Sequence, residues 1–152
     1  MSNFVITNVI NTVAKLNEIH NYMNKKLLIT GAVLGILGII LGAFAAHGLK
    51  ALISEASLQS FETGVRYQMY HAFLLLILGS LHSIPKKSKK VIYILTIVGV
   101  LFFSGSIYGL ATNVLTSVDF TKIALITPLG GLLLIVVWVI LLINFLKLKA
   151  DN

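Results

Sequence analysis

The sequence predicts an all-α integral membrane protein: an antiparallel bundle of four transmembrane helices, both termini cytoplasmic, with a short amphipathic helix in the first external loop. Three observations predict it. First, 57% of the 152 residues are hydrophobic, only 11% are charged, and the mean hydropathy is +0.95; a soluble domain carries about 25% charged residues, and so sparse a charge cannot dress a water-facing surface. Second, the apolar residues gather into long runs, and about 20 such residues in a helix cross the hydrocarbon core. Third, the net charge of +7 sits in short lysine clusters between the runs. That is the pattern of membrane topology rather than of a nucleic-acid-binding face, so no nucleic acid partner is expected. The absence of cysteine excludes disulfides, thiolate metal sites and cysteine nucleophiles.

Residues 1–22 read as an N-terminal extension. Val5, Val9, Ile10, Val13 and Leu16 recur at helical spacing opposite Asn8, Asn11, Thr12 and Lys15. One reading is an amphipathic helix lying on the inner membrane face. The other is a non-core segment, because "MNKKLLI" from Met23 resembles the start of a membrane protein. No basic region followed by an apolar core and a small-residue cleavage site marks a signal peptide. Residues 23–149 form the expected membrane domain.

Its first span is about 27–46. Gly31, Gly35, Gly38 and Gly42 step by four, three and four along one stripe, the small-residue spacing that lets helix backbones approach closely in lipid. These four glycines are the expected packing residues. The loop from Gly48 to Thr63 keeps helical spacing at Leu49, Leu52, Ile53 and Ala56 and again at Leu58, Phe61 and Val65, with Ser54 placed to cap. It is expected to form the short surface helix or a long extension of the second span. That span, about 65–82, reaches full length only by including the polar stretch "VRYQMYH". The third is about 91–112 and the fourth about 123–146, with Pro128 in the first turn, where its missing N–H costs nothing. Trp138 and Asn144 read as inner-end residues of the fourth span and Tyr93 of the third. Lys25 and Lys26, the "PKKSKK" of Pro85 to Lys90, and Lys147 with Lys149 are the clusters that assign the cytoplasmic side.

Polar residues converge on the other side. His47 ends the first span. Arg66, Tyr67, Gln68 and His71 open the second, Ser106 lies in the outer half of the third, and Thr127 opens the fourth. Together they are the candidate functional cluster, in the outer leaflet. At about 100° per residue Tyr67, Gln68 and His71 share a face, turned inward because polar groups at depth face the bundle. Arg66 and Tyr70 point away, and Arg66 is placed to snorkel or to pair with Glu62. His47, His71 and Glu62 match no compact ligand spacing, and Ser104, His71 and Glu62 are a trio any small bundle offers. No catalytic residue, metal site or cofactor is therefore expected.

Four ordered stretches, "LGAFAAHGLK" at 41–50, "FETGVRYQMYHAF" at 61–73, "FSGSIYGLA" at 103–111 and "ITPLGGLLLIVVW" at 126–138, resemble the small bacterial inner-membrane family called domain of unknown function 423, related to the transmembrane-protein-256 group. The resemblance runs over roughly 23–146. It implies a four-helix integral protein of the bacterial cytoplasmic membrane and no reaction, substrate or cofactor. The leading functional expectation is a non-enzymatic membrane protein acting through helix packing and through binding of a partner or lipid at the outer-leaflet cluster. Its partners would be the bilayer, a second copy or another membrane protein. The alternative is a small-molecule or ion transporter or channel, oligomeric and dependent on His71, since no span holds Asp or Glu.

Overall fold

The computed structural model describes residues 2–148, and before Asn21 it describes the side chains of Thr12 and Lys15 alone. Most of the amphipathic pattern expected of residues 1–22, and Lys149, therefore lie outside the described side chains.

The described chain is all helix and turn. Helix α1 (Ser2–Phe44) passes into a π-turn (Ala45–Leu49). A bend follows, and Ser54 ends it by accepting a hydrogen bond from the Ser57 N–H at 3.2 Å, the capping that stops an orphan N–H from going unpaired. Helix α2 (Glu55–Ser80) then runs unbroken for 26 residues. Pro85 precedes α3 (Lys86–Val100), which continues through a second π-turn (Leu101–Gly105) into α4 (Ser106–Ala111) as one rod. Short 3-10 turns at Asn113–Leu115 and Phe120–Ile123 lead to α5 (Ile126–Leu146). Pro128 stands in the first turn of α5, where no intrahelical donor is lost.

Glycines set the closest crossings. A Cβ on Gly31 would lie 2.9 Å from the Ala72 carbonyl oxygen, one on Gly38 would lie 2.6 Å from Met69 Sδ, and one on Gly79 would lie 2.9 Å from Leu28 Cγ. Low numbers on α1 meet high numbers on α2, so these helices are antiparallel along their length. Gly130 of α5 lies directly on the backbone of the second π-turn: a Cβ there would be 2.4 Å from the Phe103 nitrogen. Gly35 differs from its stripe: a Cβ there would meet nothing of another helix within 4 Å.

Four transmembrane helices are not what this fold provides. Three segments are long and apolar enough to cross a membrane: Asn21–Leu49, Lys86–Ala111 and Phe120–Leu146. The expected second span at about 65–82 falls on α2 except for Leu81 and His82, and α2 has the length but not the apolarity. Only Ala72–Leu78 is continuously apolar; the stretch before it carries Glu55, Glu62, Arg66, Gln68 and His71. The assignment of both termini to the cytoplasmic side rested on the lysine clusters at the ends of four spans; three crossings put the two ends of the chain on opposite sides. The separate amphipathic loop helix is also absent, because Glu55 begins the same helix that ends at Ser80; no residue between them breaks the ladder, and Gly64 is held in it by Tyr108 packed against it.

Two apolar clusters make the core. One, around Leu27, Leu75, Leu78, Ile92 and Val137, lies toward the lysine-rich end. The smaller joins Ala45, Leu49, Phe61 and Ala111 at the opposite end. Large side chains on the remaining face of α1, among them Ile29, Val33, Ile36 and Ile39, are exposed, as they should be where the solvent is lipid.

Candidate functional site

Between the two apolar clusters α2 carries the stretch 64–72, and this is the polar layer of the molecule. A helix turn of 3.6 residues divides it into two faces. Gly64, Gln68, His71 and Ala72 are buried, whereas Arg66, Tyr67 and Tyr70 are exposed.

Gln68 is 4% exposed and both ends of its amide are used. Nε2 donates to the Leu34 carbonyl of α1 at 2.8 Å, and Oε1 accepts from the Tyr108 hydroxyl of α4 at 3.0 Å. One side chain thereby ties three helices. Tyr108 is fixed by its ring as well, tilted against Phe61 with centroids 4.7 Å apart. Gly64 makes the room: a Cβ there would stand 2.7 Å from the Tyr108 ring. Sequence reasoning quoted Tyr108 within a motif but gave it no role; the visible signal was a single phenol among the small residues of 103–111.

Ser106 ties the rod to α5. Its hydroxyl donates to the carbonyls of Phe102 and Phe103 and accepts from the Thr127 hydroxyl at 2.6 Å. A ladder widened by a π-turn leaves carbonyls off the regular i→i−4 register, and Ser106 is placed to take them up.

His71 is 2% exposed. Its Nδ1 lies 2.8 Å from the Tyr67 carbonyl oxygen. A carbonyl cannot donate, so Nδ1 carries the hydrogen and Nε2 is left as an acceptor. That Nε2 is buried without a hydrogen-bond partner in the protein. The ring stands edge-on to Trp138, 6.4 Å between centroids. Burial holds the imidazole below its ordinary range, with the Tyr67 bond acting the other way.

The outward group is differently occupied. Arg66 donates from Nη2 to Thr63 Oγ1 at 2.8 Å, rather than to Glu62. With Gln59, Ser60, Glu62 and Thr63 it lines an open polar hollow on α2. Tyr67 is 41% exposed, its ring packed between Tyr70 and Phe103 at 5.8 and 4.7 Å. His47 is exposed in the first π-turn, apart from the rest. Of the seven predicted cluster residues the fold thus buries Gln68, His71 and Ser106, half-buries Thr127 against Ser106, sets Arg66 and Tyr67 outside, and leaves His47 in the first π-turn; His71 meets Trp138, eleven residues along α5 from Thr127. Of the four predicted packing glycines, Gly31, Gly38 and Gly42 meet α2 and Gly35 does not.

A second polar junction escaped sequence reasoning. Lys89 is 0% exposed; its ammonium donates to Asn24 Oδ1 at 2.7 Å and to the Leu81 carbonyl at the end of α2. A cation suits the negative end of a helix dipole. The signal was positional: Lys89 heads the row Lys89, Ile92, Thr96, Val100, which is the buried face of the rod. Among the described residues no group of three His, Cys, Asp or Glu is placed to hold a metal ion.

A family model described as "Protein of unknown function (DUF423)" matches residues 41–131. Similar curated proteins include a UPF0382 membrane protein of Staphylococcus aureus (strain bovine RF122 / ET3-1), 38% identical over 123 residues that cover 81% of this chain and 97% of the relative. UPF0382 membrane proteins of Bacillus subtilis (strain 168; 35% identical, 81% and 98% covered) and Haemophilus influenzae (strain Rd; 34%, 84% and 99%) match over comparable lengths. No solved structure matches the chain.

Proposed function

Since this chain belongs to the DUF423 family of small, multi-pass bacterial inner-membrane proteins, we propose that it is a non-enzymatic member that works by helix packing and by holding a lipid headgroup or partner protein at the polar face of α2, toward the outer leaflet. The observation that carries this reading is the division of labour along 59–71. The interior amide of Gln68 is spent on Leu34 and Tyr108, and Ser106 is spent on Thr127. The exposed polar groups, Gln59, Ser60, Glu62, Thr63 and Arg66, gather about one open hollow flanked by the exposed phenols Tyr67 and Tyr70. A guanidinium beside tyrosines is the side-chain set of a membrane boundary, and Arg recognises phosphate through paired donors. The same division supports binding over transport, since Gln68 and Ser106 in the interior are engaged in holding helices together.

A photoreactive residue at position 60 tests this in cells. Illumination is expected to yield a lipid adduct or one discrete protein adduct, and Arg66→Ala is expected to reduce it several-fold without lowering the amount of folded protein. Absence of any adduct, or an adduct indifferent to Arg66, would refute the reading.

A further inference from the structure

The C-terminal ends of α2 and α5 leave an apolar cleft between them. Leu74, Ile77, Leu78 and Leu81 form one wall, and Trp138, Leu141 and Phe145 the other. The α2 residues recur at i, i+3, i+4 and i+7 and those of α5 at i, i+3 and i+7, so each wall is one stripe of a helix. Each runs seven residues, about 10 Å. Apart from the Trp138 indole, no side chain in them is polar. One leaflet of hydrocarbon is about 15 Å deep. The cleft therefore fits within a single leaflet, beside the end of the membrane-crossing segment Phe120–Leu146.

Its dimensions select an occupant. The empty space, about 440 Å³ with the open side included, is little more than half of the roughly 800 Å³ that a helix 10 Å across would take over that length. A helix from a second copy or another protein is too thick for it. Water needs two to four polar partners to stay, which these walls do not offer. The hydrocarbon chain of a lipid suits both the narrowness and the lining.

Lysines mark the mouth. Ile84, in the turn after α2, is 1% exposed and belongs to the same apolar cluster as Leu74, Leu78 and Leu141. The turn is thus held at the foot of the cleft, and Lys86 and Lys87 follow it. Lys147 comes two residues after Phe145. The helix register sets these lysines level. Gly99 meets Leu134 and Gly130 meets Phe103, an antiparallel pairing that, carried thirteen residues further along each helix, puts Lys86 opposite Lys147. Lys87 and Lys147 are exposed and Lys86 is half-buried. The carbonyl end of α2, which would repel an anion, is already occupied by the Lys89 ammonium. The carboxylates of Glu55, Glu62 and Asp119 lie toward the other end of the molecule.

We propose that this cleft is a site for an anionic phospholipid. One acyl chain lies between α2 and α5 and reaches Trp138, and the phosphate meets Lys86, Lys87 and Lys147. Basic residues where spanning helices leave the hydrocarbon select anionic headgroups, and a lysine ammonium binds phosphate as a point charge. The site is at the opposite end of α2 from the polar hollow about Arg66 and does not depend on it.

Trp138 is the chain's one tryptophan, and it lines the cleft at the end farthest from the lysines, so its fluorescence reads the occupant. The full chain is reconstituted in phosphatidylcholine vesicles holding a small fraction of lipid brominated at mid-chain, either phosphatidylglycerol or phosphatidylcholine. Trp138 is 52% exposed and bulk lipid also quenches it, so the difference between the two headgroups is the signal. Brominated phosphatidylglycerol is expected to quench several-fold more at equal fraction. Lys87→Gln with Lys147→Gln, both at exposed positions, should remove most of that preference without changing the helix content seen by circular dichroism. Lys25→Gln with Lys26→Gln, on a helix that lines no part of the cleft, should keep it, as should an excess of soluble glycerol phosphate. Equal quenching by the two lipids would overturn the proposal, as would a preference that survives loss of Lys87 and Lys147. A preference lost with Lys25 and Lys26 would mean attraction by bulk charge, and one lost to glycerol phosphate a site for free phosphate; either refutes the lipid site.

Discussion

Gly130 and Gly35 carry the same side chain, a single hydrogen, under opposite constraints. At Gly130 a methyl group would press on backbone: 2.4 Å from the Phe103 nitrogen and 2.7 Å from the Phe102 carbonyl carbon. Neither atom can rotate away, so α5 would have to lift off the π-turn and strain the Ser106–Thr127 bond. Overpacking of this kind costs about 1–3 kcal/mol. At Gly35 a methyl group meets nothing within 4 Å, and alanine favours helix over glycine by about 1 kcal/mol. Unfolding in detergent, followed by circular dichroism, should therefore show Gly130→Ala destabilised and Gly35→Ala unchanged or stabilised. Equal effects would mean that α5 does not rest on the rod as described. The stripe on α1 was plain in the sequence, but spacing alone cannot say that Gly35 is the member without a partner; that depends on where α2 crosses.

At the scale of elements, α2 is the piece around which the others are arranged, and it is also the piece sequence reasoning misjudged. Its helical character, the Ser54 cap and the inward aim of Gln68 and His71 were legible from spacing and capping chemistry, but the same spacing turned Tyr67 inward, and the fold leaves it exposed. Its standing as a fourth span was not, because the polar stretch 65–71 was counted toward its length instead of against its apolarity. The fold uses those residues for binding helices together. Gln68 joins α1 to α4, and Tyr108 is its partner across the layer. Interhelical hydrogen bonds in membrane proteins average about 0.6 kcal/mol and reach about 1.7. A double-mutant cycle of Gln68→Leu and Tyr108→Phe should give a coupling within that range, read from the stabilities of the four variants. Zero coupling would mean that the two groups find other partners. Lys89 shows the same limit of sequence reading from the other side. Four lysines in "PKKSKK" look alike as charges, yet only the one on the buried row reaches Asn24 and the end of α2.

The whole molecule is polarised along its helices. Lys25, Lys26 and the 86–90 cluster stand at one end, joined through Lys89 and Asn24, while Glu55, Glu62 and Asp119 lie toward the other. Within that frame α2 is unlike its neighbours. A charged residue at a helix centre costs about 2.5–3.5 kcal/mol on insertion, and each large apolar residue returns about 0.3–0.6. The six from Phe73 to Leu78 together return about as much as Arg66 alone takes, which leaves Glu62, Gln68 and His71 uncompensated. That is why α2 is not among the spanning segments; packing holds it instead: α1 lies against it along its length, Leu34 and Tyr108 satisfy Gln68, and His71 is buried. The segments therefore should behave differently in isolation. Placed singly in a membrane-insertion reporter, Asn21–Leu49, Lys86–Ala111 and Phe120–Leu146 are expected to insert and Glu55–Ser80 is not. Presented together with α1, α2 should become protected from a water-soluble protease, and Gly38→Leu in α1, which would drive a side chain into Met69, should reduce that protection. Efficient insertion of Glu55–Ser80 alone would mean that its polar row needs no partner helices, and the account of α2 as a helix held by its neighbours would fail.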